Sequence, residues 1–115
     1  MNRTAFALLL VMLGGCAIPY APKGSTIYAG GYTDKKLSDG EYLVRFEGNA
    51  YNTTAQAVEF VKRRASELCG SSEFEADIRQ FYTTHTEMGF TGSAVYTSRH
   101  QFPNAEAQVK CKRHD

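Results

Sequence analysis

The sequence predicts an α+β fold in which one helix packs on a small, mostly antiparallel, four-stranded sheet. Three patterns predict it: strict alternation of apolar and polar residues at 41–47, a helical period from 53 to 69, and β-branched and aromatic enrichment after residue 73. The expected order of elements is therefore β-α-β-β-β. A helix lying across one face of an antiparallel sheet is the natural packing for that order.

The first strand is predicted at residues 41–47. One face of this strand would carry three apolar side chains, and the other would carry charged ones: Tyr42, Val44 and Phe46 against Glu41, Arg45 and Glu47. Gly48 and Asn49 follow, and these residue types favour a turn.

The helix is predicted to begin after Thr53, which forms a capping box with Gln56, and to end at Gly70. Its apolar stripe is expected to contain Val58, Val61, Ala65, Leu68 and Cys69. Phe60 projects away from that stripe. We expect either that the preceding segment covers Phe60 or that Phe60 contacts a partner.

Two further strands are predicted at residues 73–84 and 91–102, joined by a polar loop at 85–90. Met88 and Phe90 would lie exposed in that loop, which makes them candidate contacts for a partner or ligand. Pro103 and Asn104 predict a second turn, followed by a last strand at 105–111.

The N-terminus is predicted to be an export signal. Arg3 precedes the apolar residues 5–13, which are too few for a membrane-spanning helix of about 20 residues. The following run, Leu13-Gly14-Gly15-Cys16, resembles the lipobox of bacterial lipoproteins. The resemblance implies cleavage before Cys16 and acylation of its thiol, and Ala17 in place of an aspartate implies sorting to the outer membrane.

Residues 1–15 are thus expected to be a signal peptide, 16–40 a lipidated cysteine with a flexible tether, and 41–115 the folded domain. The tether is predicted from prolines and glycines that interrupt any regular period: Pro19, Pro22, Gly24, Gly30, Gly31 and Gly40. Tyr28 and Tyr32 are expected either to fold back onto the domain or to form a recognition stripe.

The two remaining cysteines, Cys69 and Cys111, are predicted to form a disulfide. Export places them in an oxidising compartment, and the helical and strand periods direct both side chains toward the same core. The alternative is a pair of buried, unpaired thiols.

Several residues between 31 and 69 resemble a family of small bacterial lipoproteins of unknown activity. The shared positions are Gly31-Tyr32, Leu37, the pattern Tyr42-x-Val44-x-Phe46-x-Gly48-Asn49, Thr53 or Thr54, and Arg64-Ala65-x-Glu67-Leu68. The resemblance covers about a third of the chain and implies no activity. Ser66 and Cys69 depart from the family pattern, so the disulfide would belong to a subgroup.

No combination of residues predicts catalysis, a metal site or a cofactor. His85, His100 and His114 share no metal-ligand spacing, even with Glu87 included, although a weaker hypothesis places an enzyme site at His85, Glu87 and His100. The chain has a net charge of +1, and loss of Arg3 would leave it formally neutral, which argues against binding nucleic acid.

The expected function is therefore a non-enzymatic, lipid-anchored accessory or interaction role at the periplasmic face of the outer membrane. The membrane would be bound through acylated Cys16, and a second envelope protein is the expected partner. The alternative is a small module that binds an anionic envelope component (lipid, lipopolysaccharide or peptidoglycan) through the basic tail, Lys110, Lys112 and Arg113.

Overall fold

A computed structural model describes residues 16–27 and 29–112. Its elements, in chain order, are β1 (Gly31–Ser38), β2 (Glu41–Glu47), α1 (Thr54–Cys69), β3 (Phe74–Thr91) and β4 (Ala94–Cys111). The strands form one antiparallel sheet in the order β1-β2-β4-β3. The predicted α+β class, with one helix and four strands, is confirmed, but the order along the chain is β-β-α-β-β.

The additional N-terminal strand, β1, lies within the segment predicted to be a tether. It pairs with β2 from Gly31↔Glu47 to Ser38↔Glu41, through a turn in which Gly40 has a φ of 74°. The glycines on either side of this strand favour a loop in the sequence pattern. The strand forms because it pairs with β2, and such pairing produces no local period in the sequence.

Helix α1 has the predicted ends. The Thr53 hydroxyl accepts a hydrogen bond from the Gln56 amide (3.0 Å), and the Gln56 side chain accepts one from the Thr53 amide (3.0 Å). Gly70 closes the helix in the left-handed region, with φ 66°. The capping residues thus predict both boundaries correctly.

The core lies between α1 and the covered face of the sheet. The helix contributes small residues and one valine, and β4 contributes alanines beside the large side chains of β2. The fully buried side chains are Val44, Phe46, Ala57, Val61, Ala65, Ala105 and Ala107. Alanines on both elements allow the helix to approach the sheet closely and to pack around Phe46.

A disulfide joins the C-terminal end of α1 to the end of β4. Cys69 and Cys111 have Cα atoms 5.4 Å apart. The predicted bridge is therefore present, and it ties the helix to the central pair of strands.

Strands β3 and β4 form one long hairpin, which corrects two predictions. Residues 85–90 continue β3 instead of forming a loop, and β4 runs straight through Pro103 and Asn104. Pro103 is tolerated because it lies just beyond the last β2–β4 pair, Glu47↔Asn104, where the ladder needs no further N–H donor. The turn lies instead at Gly92-Ser93.

The distal part of this hairpin extends past the ends of β1 and β2. We call residues 82–103 the arm and the rest of the described chain the base. The arm contains ten residue pairs, from Tyr82↔Pro103 to Thr91↔Ala94, and is therefore roughly 30 Å long.

Candidate functional site

Cys16, the predicted lipidation site, is the first described residue, and its side chain is exposed. Its carbonyl oxygen accepts a hydrogen bond from the Asn49 side chain (2.8 Å). Asn49 follows β2, so Cys16 lies at the end of the sheet from which the arm extends. The predicted signal peptide, residues 1–15, lies outside the described residues.

The chain just after Cys16 is attached to the base by Asn52. The Asn52 carbonyl oxygen accepts from the Ile18 amide (3.0 Å), and its amide group donates to the Ile18 carbonyl (3.1 Å). Ile18 itself is buried in the core. This part of the segment predicted as a flexible tether is therefore held against the base by one apolar side chain and one buried amide.

An aromatic cluster covers the helix beside this segment. Tyr20 stacks on Tyr32 with ring centroids 4.9 Å apart and lies 5.5 Å from Phe60, whose ring meets Phe46 edge-on at 4.8 Å. Phe60 is therefore covered by the N-terminal segment and is not the exposed partner contact that its spacing allowed. Buried Ala57 moves the centre of the apolar stripe toward Phe60.

Polar contacts hold Tyr20 in this position. Its hydroxyl donates to Glu67, and the Arg63 guanidinium lies 4.0 Å from the centre of its ring. Burial raises the pKa of the Tyr20 phenol, and the hydrogen bond to Glu67 raises this pKa further. Tyr20 is thus neutral at physiological pH and remains a hydrogen-bond donor.

A groove of about 450 Å³ lies between the N-terminal segment and the root of the arm. Ile18, Gly30 and Asn49 line one side, and His85, Phe102 and Asn104 line the other. Buried Asn104 joins base and arm: it accepts from the Gly48 amide (3.3 Å) and donates to the Thr83 hydroxyl (2.7 Å). The predicted turn at Asn104 is therefore a junction within one strand.

The arm exposes large apolar side chains along its length. Met88 and Phe90, both predicted contacts, are 68% and 77% exposed, and Tyr82, Val95 and Tyr96 are more than half exposed. A Cβ atom at Gly89 would collide with the Tyr96 ring at 2.1 Å, so this ring packs directly over the glycine. The Gly92-Ser93 dipeptide between two β-rich stretches is the sequence signal that could have revealed this hairpin.

The arm also brings together the residues of the hypothetical enzyme site. His85 pairs with His100 across the strands and stacks on Phe102 at 4.2 Å. Ser98 lies 2.9 Å from Nε2 of His100, and Glu87 lies 4.0 Å from the same nitrogen. Because the hydroxyl and the carboxylate approach one ring nitrogen, the carboxylate cannot orient the imidazole from the opposite side, as a catalytic triad requires.

The described part of the predicted basic tail lies in acidic surroundings. Lys110 is the register neighbour of Glu41 on β2 and of Glu75 on β3, and its ammonium group lies 4.0 Å from the Glu41 carboxylate. Lys112 is exposed beside them, and Arg113 lies outside the described residues. The two glutamates offset the charge that would attract an anion.

In the described ranges 16–27 and 29–112, no group of three or more His, Cys, Asp or Glu side chains is placed to hold a metal ion. The described residues likewise contain no helix that is long and apolar enough to cross a membrane.

No protein-family model, curated protein or solved structure matches the chain.

Proposed function

We propose that this chain is a lipid-anchored protein of the bacterial envelope with a non-enzymatic accessory or interaction role. Acylated Cys16 would be the anchor, and the periplasmic face of the outer membrane its location. The proposal rests on the lipobox-like run before Cys16 and on the exposure of this cysteine. A single acyl chain binds a membrane only reversibly, whereas several acyl chains on one residue provide stable attachment.

The observation that carries the proposal is the fixed position of the segment after Cys16. Asn49 binds the Cys16 carbonyl, and Asn52 binds Ile18 two residues later. Acyl chains on Cys16 would therefore extend from a defined point on the base, beside the end of the arm that joins the base. The arm would stay near the membrane surface, where neighbouring envelope proteins are concentrated.

The surface of the arm supports an interaction role. Its exposed apolar side chains include Met88, Phe90 and Val95, and exposed clusters of this kind are typical of contact sites. The alternative, binding of an anionic component by the basic tail, has less support because Glu41 and Glu75 lie beside Lys110.

Metabolic labelling with a fatty-acid analogue tests the anchor. Full-length wild-type protein expressed in a Gram-negative bacterium should incorporate label and fractionate with outer membranes, and Cys16→Ala should do neither. The matched control is the double variant Cys69→Ala/Cys111→Ala, which should still be labelled. Labelled Cys16→Ala would contradict the proposal.

In vivo cross-linking tests the interaction role. Cross-linked complexes of the acylated wild-type chain should depend on apolar side chains of the arm, so Phe90→Ser should reduce them while Ile27→Ser, at a 96% exposed apolar position in the base, should not. Equal cross-linking of both variants would contradict a contact role for the arm.

A further inference from the structure

The two edges of the sheet differ in how they are protected. Edge strand β1 carries Asp34, Lys35 and Lys36 within eight residues, and such charges discourage pairing with another strand. In the arm, which extends past β2, strand β4 is an edge as well, but this part of it carries Arg99 and Pro103. The edge that lacks such residues is β3. Its arm portion, residues 82–91, contains neither proline nor a basic Lys or Arg, and its one formal charge is Glu87.

The turn identifies which backbone groups of β3 face outward. Gly92 has a φ of 63° while Ser93 does not have a positive φ, which matches a two-residue type II′ turn. In such hairpins the closing pair, Thr91↔Ala94, exchanges hydrogen bonds, and the pattern then alternates. The N–H and C=O groups of residues 82, 84, 86, 88 and 90 therefore point away from β4.

Within the described part of the chain, no strand pairs with this outer edge of β3. We infer that the edge pairs with the same edge of a second copy of this chain. The two β3 strands would run antiparallel, with a two-fold axis at Thr86. Five residues of each copy would then form about ten main-chain hydrogen bonds across the interface.

The side chains are complementary in this register. On one face Tyr82 lies opposite Phe90 of the second copy, and Thr84 lies opposite Met88. On the other face His85 lies opposite Glu87, and each of these pairs occurs twice. Aromatic pairs and a carboxylate opposite an imidazole N–H both stabilise adjacent antiparallel strands.

Neighbouring registers lack this complementarity. An axis one residue earlier places His85 opposite His85 and so removes both His85–Glu87 pairs. An axis one residue later places two Glu87 carboxylates opposite each other. Like charges directly opposite one another destabilise a sheet. Axes between residues would align outward-facing groups with inward-facing ones, so that the hydrogen bonds could not form.

This pairing names the partner for the interaction role and in that respect rests on the proposed function, but it does not require acylation of Cys16. The His85–Phe102 stack and Glu87, which is 74% exposed, lie on the face that carries the His85–Glu87 pairs. His85 and Glu87 are therefore already in position along β3 before a second copy binds.

Cysteine cross-linking in the full-length protein, expressed in the bacterial envelope, tests both pairing and register. Thr86→Cys places two thiols opposite each other at the axis, within the 4.4–6.8 Å Cα separation that a disulfide needs, so it should give a linked dimer on a non-reducing gel. Thr84→Cys is the matched control. Its two copies would lie four residues out of register, roughly 13 Å apart, and should stay monomeric.

A second measurement fixes the register independently. Co-expression of Thr84→Cys and Met88→Cys chains should restore the linked dimer, because these positions face each other across the interface. If Thr86→Cys links no more than Thr84→Cys, or links to a different protein, the inference is wrong. Normal fatty-acid labelling of Cys16 in the same cells would then show that the anchor stands without the dimer.

Lysine substitutions test the same edge without thiol chemistry. Thr86→Lys places two ammonium groups at the axis and should convert the detergent-solubilised dimer to monomer in analytical ultracentrifugation. Thr97→Lys, on β4 of the same arm, should leave the dimer intact. Loss of the dimer only with Thr97→Lys would assign the contact to the β4 edge and overturn the inference.

Discussion

Strands β3 and β4 run through both the base and the arm, but their apolar side chains are buried in the base and exposed in the arm. In the base, β3 and β4 lie beneath α1, and alternate side chains such as Ala105, Ala107 and Val109 are buried. In the arm the alternation continues without a helix to cover it, so Phe90 and Val95 are exposed. Cover by α1, and not strand propensity, therefore determines which of these side chains are buried.

Replacing a core aromatic residue in the base should have the largest effect. Phe46→Ala should lower the free energy of unfolding by about 3–5 kcal/mol, because it leaves a cavity beneath α1. In the monomer, the matched change in the arm, Phe90→Ala, should cost less than about 0.5 kcal/mol. Urea denaturation of both variants measures the difference, and equal losses would contradict the division between base and arm.

Removal of the disulfide should be the next largest effect. Cys69→Ala/Cys111→Ala should cost roughly 2–4 kcal/mol, since the bridge closes a loop between residues 42 positions apart. Thermal unfolding measures the loss, and reduction of the wild-type protein provides the control. A variant as stable as the oxidised protein would show that the bridge constrains neither α1 nor β4.

Loss of the Asn52 side chain should release the N-terminal segment. Asn52→Ala leaves the buried amide and carbonyl of Ile18 without partners, at a cost of about 1–3 kcal/mol. Hydrogen exchange at Ile18 should rise while exchange in the arm stays unchanged. Unchanged exchange at Ile18 in Asn52→Ala would contradict the role of Asn52.

The smallest global effect should come from the ring that covers Gly89. Tyr96→Ala should change the free energy of unfolding by less than about 0.5 kcal/mol but increase hydrogen exchange of the arm amides. Tyr96→Phe retains the ring and should match the wild type. Faster exchange in β1 or β2 as well would show that the arm supports the base.

The sequence predicts the parts of the fold that are determined locally. Thr53, Gln56 and Gly70 define the helix, and alternation from Tyr42 to Phe46 defines β2. The sequence does not predict strand β1, because this strand depends on pairing with β2. The sequence predicts a loop at 85–90 and a turn at Pro103-Asn104 because two contacts leave no local pattern. These are the Tyr96 ring over Gly89 and the end of β2 beside Pro103.

The candidate site is less predictable from the sequence than the fold is. Cys16, Met88 and Phe90 were identified from residue type and position, and the structure exposes all three. The attachment of Ile18 by Asn52 and the junction at Asn104 depend on contacts between residues far apart in sequence, such as Gly48 with Asn104. No local period contains that information.

The intact mass of the protein purified from bacterial membranes tests the lipid anchor most directly. We predict a chain that begins at Cys16, carries the added mass of acyl groups, and lacks two hydrogens because of the Cys69–Cys111 bridge. A full-length, unmodified mass from residue 1 to residue 115 would contradict the account.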